Sequence, residues 1–291
     1  MKKIIVVTGG AGFIGSNLIK YLIIKTNYNI ISIDNYSTGK RKNHVKSKRV
    51  KYIKCENKNI STSLNKFKKR ILTVFHFGEF SRIFMSFKLI NQCYNSNMLG
   101  TFNVVKFCSE NNIRIIYSAS SSKFGNDGKD EHLSPYSWSK SKNIEFIKNF
   151  SKWYNLKYEI LYFYNVYGNN HIKNNRMAAV IGIFESQFQK KKPLTVVKPG
   201  TQRRDFTHVD DIVRGCYLAF KKGRNSEYML GTKKTYSVIQ IAKMFKRKIK
   251  FIPSRPGERL GSVNKSNKAF SHLGYKANID IKDYIEKFIK K

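Results

Sequence analysis

The sequence predicts an α/β fold: a doubly wound parallel sheet with helices on both faces and a smaller, interleaved C-terminal lobe. Three observations carry this. Short β-branched runs alternate with amphipathic stretches through the first half of the chain. The first run passes directly into a glycine-rich turn, TGGAGFIGS at 8–16, which opens the first amphipathic stretch. After Asn165 the regularity weakens. Strand and helix in alternation imply a parallel sheet covered on both faces.

The elements follow in order. Strands are expected at 4–8, 30–34, 50–55, 73–78, 113–118 and 158–164, with helices at 13–25, 61–70, 97–111 and 136–154 between them. Beyond Asn165, helical patterns fall near 177–191, 208–221, 237–246 and 280–290. Short strands and turns around Gly200, Gly231 and 253–257 separate them. The expected division is 1–167, joined by parts of about 200–232, and a second lobe over 168–291. No repeat is visible, and no linker is long enough to make two independent domains.

The chain has 291 residues, of which 41% are hydrophobic, so a sizeable core can be buried. No apolar run reaches the roughly 18–20 residues needed to span a bilayer. The opening MKKIIVVTGGAGFIG sets two lysines before an apolar run, as a signal peptide does. That run is short and passes into glycines, so it reads as a buried strand. Cys55, Cys93, Cys108 and Cys216 are scattered with no C-x-x-C pair. That suits the reduced cytoplasm and argues against a disulfide framework or a metal site.

The charge balance is extreme: 56 Lys+Arg against 18 Asp+Glu, a net +38. A nucleic-acid or anionic-surface binder is one reading. Yet the lysines are spread throughout, beside many asparagines and isoleucines, as an AT-rich coding sequence produces. The clusters at 40–42, 68–70 and 190–192 fall in loops and at helix ends, without a zinc-finger, RNP-type or basic-zipper pattern. The charge reads as compositional, although it still attracts anions at low salt.

Gly9, Gly12 and Gly15 stand three apart between the first strand and the first helix. Such glycines allow a tight turn and let backbone N–H groups approach a pyrophosphate at a helix N-terminus. The spacing is G-x-x-G-x-x-G rather than the commoner G-x-G-x-x-G. Asp34 ends the second strand, in IISIDNYSTG, where it can accept bonds from an adenosine ribose. This makes the first part a Rossmann-type dinucleotide site. A carboxylate there repels a 2′-phosphate and favours NAD over NADP; Lys40 and Arg41, close behind, pull the other way.

TGGAGFIGS, IDNYSTG, SASSSKFG, SPYSWSK, FYNVYG, RRDFTHVDD and RPGE occur in that order. Together they resemble an extended short-chain dehydrogenase/reductase of the NAD-dependent epimerase/dehydratase family, over about residues 1–280. The resemblance implies a cofactor site of Gly9, Gly12, Phe13, Ile14, Gly15, Asp34, Asn35, Asn97, Tyr136 and Lys140. It also implies that residues 168–291 form a lobe for a nucleotide sugar.

SPYSWSK sets Tyr136 and Lys140 one helical turn apart, on one face. In the family this pair is the acid/base centre. A free tyrosine ionises near pH 10, too high for a base at neutral pH. An adjacent ammonium and the positive nicotinamide ring of oxidised NAD favour the phenolate. By resemblance Ser120, five residues before Gly125, is the third catalytic member, with Ser118, Ser121 and Ser122 as competitors for the role.

The two positions after Ser120 discriminate among reactions. Sugar-nucleotide dehydratases carry T-D-E here, because eliminating water needs a further acid and base. UDP-glucuronate decarboxylases carry a Glu at the second position. Ser121 and Ser122 supply no carboxylate and resemble the serines of UDP-N-acetylglucosamine and UDP-galactose 4-epimerases. By the same resemblance Asn165, Arg204 and Arg255 contact a diphosphate and Glu258 accepts from ribose hydroxyls.

There are departures. The stretch from Ser120 to Tyr136 is short, HFGEFSR replaces H-x-A-A, Tyr162 stands where an arginine is common, and Lys265 where an Asp is common. HFGEFSR puts Glu79, Ser81 and Arg82 near the nicotinamide or the sugar. Residues 171–180, HIKNNRMAAV, are similar to ADP-heptose 6-epimerases. The implied activity is a cytoplasmic NAD-dependent nucleotide-sugar epimerase, foremost a UDP-glucose or UDP-N-acetylglucosamine 4-epimerase. Its product would serve polysaccharide synthesis. The alternatives are another epimerase or a 4-keto-sugar reductase of the family, or a basic NAD- or nucleic-acid-binding protein without activity. The resemblance also implies a homodimer through helices at about 97–111 and 136–154 in a four-helix bundle.

Overall fold

The computed structural model describes residues 2–174, 176–258, 261, 264 and 266–291; Lys265 lies outside the described residues. β1 (Ile4–Thr8) is buried along its whole length because a strand pairs with it on each side and helices cover both faces. Ile5, Val6 and Val7 have no exposed surface. Each such side chain stabilises the fold by about 1.5–3 kcal/mol relative to exposure.

From β1 the chain enters α1 (Phe13–Lys25), then β2 (Asn29–Asp34), β3 (Val50–Lys54) and the short α2 (Ile60–Leu64). β4 (Ile71–His76) follows on the other side of β1. α3 (Ile83–Lys88), α4 (Ile90–Tyr94), a π-turn over Asn95–Leu99 and α5 (Gly100–Glu110) lead to β5 (Arg114–Ser120). α6 (Pro135–Tyr154) and β6 (Tyr158–Phe163) close the first half. α7 (Val180–Gln189), β7 (Leu194–Val197), β8 (Arg203–Asp205) and α8 (Val209–Lys222) precede β9 (Ser226–Leu230). β10 (Thr235–Ser237), α9 (Val238–Met244), β11 (Ile249–Ile252), α10 (Lys268–Leu273) and α11 (Ile281–Ile289) complete the chain.

The main sheet is parallel, as the alternation predicts, in the order β3-β2-β1-β4-β5-β6-β9. The order reverses between β1 and β4, and a doubly wound sheet binds ligands at the carboxyl ends of its strands at such a point. One face packs on α2, α5 and α6, the other on α1, α8 and α10. A separate core joins α7, α9 and α11 with β7 and β11, which pair with each other. The chain returns from this second core to the main sheet at α8 and β9, and again at α10. Among the described residues no helix is long and apolar enough to cross a membrane.

The helix expected over 97–111 is divided. Its start is the π-turn, and regular helix begins only at Gly100. A π-turn carries an extra residue per turn and re-aims its side chains. Here it turns Asn97 fully inward.

Candidate active site

Gly9 has φ +69°, a conformation that side chains rarely adopt. A Cβ there would lie 2.8 Å from the Gly78 nitrogen, because β1 and β4 end side by side. A Cβ on Gly15 would lie 2.2 Å from the Gly9 carbonyl oxygen. The turn is closed by the Gly12 N–H donating to the Gly9 carbonyl at 3.0 Å. It delivers the chain into α1, whose first turn has neither a side-chain cap nor an acidic residue. The leading N–H groups of this 13-residue helix therefore have no anion from the helix itself, while Asp34 of β2 engages the turn just before it.

This cleft, about 1030 Å³, runs from the glycine turn to the second core. Gly9, Gly12, Phe13, Ile14, Gly15, Asp34 and Asn35 line one end. Asp34 is buried and accepts from the Ala11 N–H at 2.9 Å and the Tyr36 N–H at 2.7 Å. Burial pushes its carboxyl up, and those two N–H groups partly oppose the shift. A cradle that has no room for a Cβ, an uncapped helix N-terminus and a carboxylate at the end of β2 fit NAD, with the pyrophosphate at α1 and the ribose at Asp34.

Ser120, Ser121, Tyr136 and Lys140 line the middle of the cleft. Ser134 caps α6 by accepting from the Ser137 N–H at 3.0 Å, and Pro135 opens the first turn. That sets Tyr136 in the first turn and Lys140 in the next. The Tyr136 N–H donates to Ser86 Oγ at 3.2 Å. Among the described residues its hydroxyl has no hydrogen-bond partner. The Lys140 ammonium is buried, donates to the Ser118 carbonyl at 2.5 Å and pairs with Glu79. Ser120 Oγ accepts from the Ser122 N–H at 3.2 Å and the Ser122 hydroxyl at 2.9 Å, which leaves its own proton to donate.

Asn165, Arg204, Arg255 and Glu258 line the far end. The Asn165 amide donates to the Asp205 carbonyl at 2.9 Å, Arg204 pairs with Glu258 at 3.3 Å, and the Arg255 guanidinium lies 5.2 Å from the Phe84 ring centroid.

Two expected contacts are corrected. Asn97 is fully buried and is not on the cleft wall: it accepts from the Phe80 N–H at 2.7 Å and donates to Ser139 Oγ at 3.0 Å. The π-turn aims it into the protein, where it braces the segment after β4 against α6. Ser122 is likewise buried off the wall, because both of its donors are committed to Ser120. Tyr162 is packed under the sheet, its hydroxyl donating to Glu227 at 2.7 Å, and does not reach the cleft.

Sequence reasoning missed the support behind Lys140. Thr8, His76, Thr101, Tyr117 and Asn143 form a buried chain ending on Glu79. The Thr101 hydroxyl donates to Glu79, so it accepts from His76 Nε2–H, and the Thr8 hydroxyl donates to Nδ1. The imidazole is thus neutral, and burial lowers its pKa to about 4. Only the oddity of HFGEFSR pointed there.

A glycine turn with no room for a Cβ at the sheet's switch point, opening on a cleft that a tyrosine, a lysine and a serine line, places the chain among the Rossmann-type enzymes that use a nucleotide cofactor. The chain belongs to the NAD-dependent epimerase/dehydratase family, whose model matches residues 5–231, and NAD is its cofactor. A Methanocaldococcus jannaschii protein with the provisional name of UDP-glucose 4-epimerase is 31% identical, over 98% of this chain and 97% of its own. The Thermotoga maritima UDP-glucose 4-epimerase, solved with UDP-glucose, superposes with a TM-score of 0.91 at 26% identity, covering 99% of this chain and 97% of the other. The UDP-N-acetylglucosamine 4-epimerase of Methanobrevibacter ruminantium, solved with UDP-N-acetylmuramic acid, gives 0.89 at 26% identity, covering 100% and 98%.

Proposed function

We propose that this enzyme is a nucleotide-sugar 4-epimerase acting on UDP-glucose or UDP-N-acetylglucosamine. One observation carries the choice over a dehydratase or decarboxylase. Among the described residues four carboxylates line the cleft, and each is engaged: Asp34 by Ala11 and Tyr36, Glu56 by Lys58 at 3.0 Å, Glu79 by Lys140, and Glu258 by Arg204. The two residues that follow Ser120 are both serines. Elimination of water needs a further acid and base, and these neighbours offer none. Epimerisation needs only one proton acceptor that later returns the proton.

In this reading Tyr136 takes the proton of the sugar 4-hydroxyl. Ser120 donates its free proton to the sugar oxygen, fixes its orientation and stabilises charge developing on it. Lys140 holds the cofactor ribose. When bound, NAD would supply the hydride acceptor for C4 and be regenerated in each cycle, so no external reductant would be consumed. The 4-keto sugar turns over between these events, and Tyr136 gives its proton back. Asn165, Arg204 and Arg255 hold the diphosphate, Glu258 and Ser121 the rest of the nucleotide sugar. Residues 1–167 with about 200–232 would then carry the cofactor, and 168–291 the nucleotide sugar. A homodimer through α5 and α6, and a product used in polysaccharide synthesis, belong to the same proposal.

The test follows the purified protein with UDP-glucose, UDP-galactose and their N-acetyl forms by NMR of the anomeric protons. NAD is the sole added cofactor, and Tyr136→Phe runs alongside. Interconversion at C4 that the variant loses supports the reading. Four unchanged sugars, or net cofactor turnover, would overturn it.

A further inference from the structure

The chemistry above gives one buried carboxylate in the cleft no role. Glu79 lies just beyond β4, its side chain 1% exposed. Its Oε1 accepts from Thr101 Oγ1, the Tyr117 hydroxyl and Asn143 Nδ2, each at 3.0 Å, and its Oε2 pairs with Lys140. Every contact comes from a donor, so the group serves as a carboxylate. Lys140 is thereby clamped between Glu79 and the Ser118 carbonyl, 4.8 Å from the Tyr117 ring centroid. A buried carboxylate and ammonium in contact largely cancel each other's field on a third group.

Other ionisable groups surround the pair. His76, behind Glu79, is kept neutral by Thr8 and Thr101. Burial raises Tyr117 well above its ordinary range and pushes the Cys93 thiol up to about 11. None of these changes charge near neutrality. Arg82 is a further cation, placed near Tyr136: it donates to the Met177 and Ser81 carbonyls, and among the described residues it pairs with no carboxylate.

We propose that Glu79 is a positioning residue that fixes Lys140 and offsets its charge, restraining how strongly the lysine favours the Tyr136 phenolate. The proposal rests on the reading of Tyr136 as the base. Removing the negative charge while keeping Lys140 in place should therefore make Tyr136 ionise more readily, not less.

The experiment titrates tyrosinate absorbance over about pH 6 to 10, taking each protein minus its Tyr136→Phe counterpart, with and without NAD. The pH profile of kcat/KM is recorded beside it. Glu79→Gln should move both the Tyr136 titration and the acidic limb of the profile to lower pH by about one unit, a tenfold gain in phenolate on that limb. Glu79→Asp keeps the charge but draws it back from Lys140, so it should move them the same way by less. If either variant that folds leaves the titration in place, or moves it to higher pH, the proposal is wrong. Turnover that survives Tyr136→Phe would sink the reading of Tyr136 as base. The spectral titration would still decide whether Glu79 restrains it.

Discussion

Asp34 Oδ2 accepts the Ala11 N–H at 2.9 Å, and this bond ties the end of β2 to the glycine turn that follows β1. The carboxylate proposed to accept from the cofactor ribose thus also holds the glycine turn in shape. Asp34→Asn should weaken NAD binding by about ten- to a hundredfold, since a hydrogen bond to a charged group is worth about 1.5–3 kcal/mol. Affinity for NADP should fall less, because the charge that repels its 2′-phosphate is gone and Lys40 and Arg41 stand close by in sequence. Calorimetric titration with both cofactors checks this. An unchanged preference for NAD would place discrimination elsewhere.

His76 predicts how stability depends on pH. Buried and neutral, it has its pKa lowered to about 4, while in the unfolded chain it ionises near 6.5. Below about pH 6.5 the unfolded state binds the proton and the folded state does not, so stability falls as pH drops toward 4. From this group alone the loss between about pH 7 and pH 5 should be roughly 2 kcal/mol. His76→Gln can still accept from Thr8 and donate to Thr101, yet cannot titrate. Urea unfolding at both pH values should show the variant losing less stability than the parent. Equal losses would mean that His76 is protonated in the folded protein.

Much of this was legible in the sequence, and what was not has a common cause. β1, the turn and α1 are local: glycine spacing and a run of apolar residues define them without help from the rest of the chain. Tyr136, Lys140 and Ser120 were expected from the family resemblance that the ordered motifs carry, and the fold brings all three to one cleft. Asn97 and Ser122 were misplaced because their roles depend on which way a side chain points. A single π-turn decides the first, and a two-residue hydrogen bond the second. α3 and α4 were not foreseen, being too short to show helical periodicity. The buried chain from Thr8 to Glu79 joins residues from β1, β4, β5, α5 and α6, and no linear pattern connects them.

The corrected place of Ser122 has a measurable consequence. Both of its donors point at Ser120 Oγ; Ser122→Ala keeps the backbone N–H but removes the hydroxyl, so Ser120 is held by one bond instead of two and can turn its proton away from the sugar more easily. One neutral hydrogen bond is worth about 1 kcal/mol, so kcat should fall about fivefold. KM for the nucleotide sugar should hardly change, because Ser122 is not on the cleft wall. Ser120→Ala removes the donor itself and should cost about 10²–10³ in kcat. A rise in KM for Ser122→Ala with kcat intact would restore it as a substrate contact.

The outward faces of the end of α4, the π-turn, α5 and α6 carry Tyr94, Leu99, Phe102, Trp138 and Trp153, between 38% and 62% exposed. The Phe102 ring lies 5.7 Å from Phe146, whose ring lies 4.5 Å from Phe150, so the aromatic surface continues along α6. Stable monomers seldom leave such a contiguous face in water. A symmetric pairing of α5 and α6 with their copies would cover it, and specific interfaces bury about 1,200–2,000 Å² in total. The protein should therefore run as a dimer by light scattering at micromolar concentration. Phe102→Asp places a charge in that face while leaving the cleft untouched, so it should give a monomer that still binds NAD. A parent protein that is monomeric would remove the basis for the four-helix bundle. A Phe102→Asp dimer of undiminished stability would move the interface to another surface.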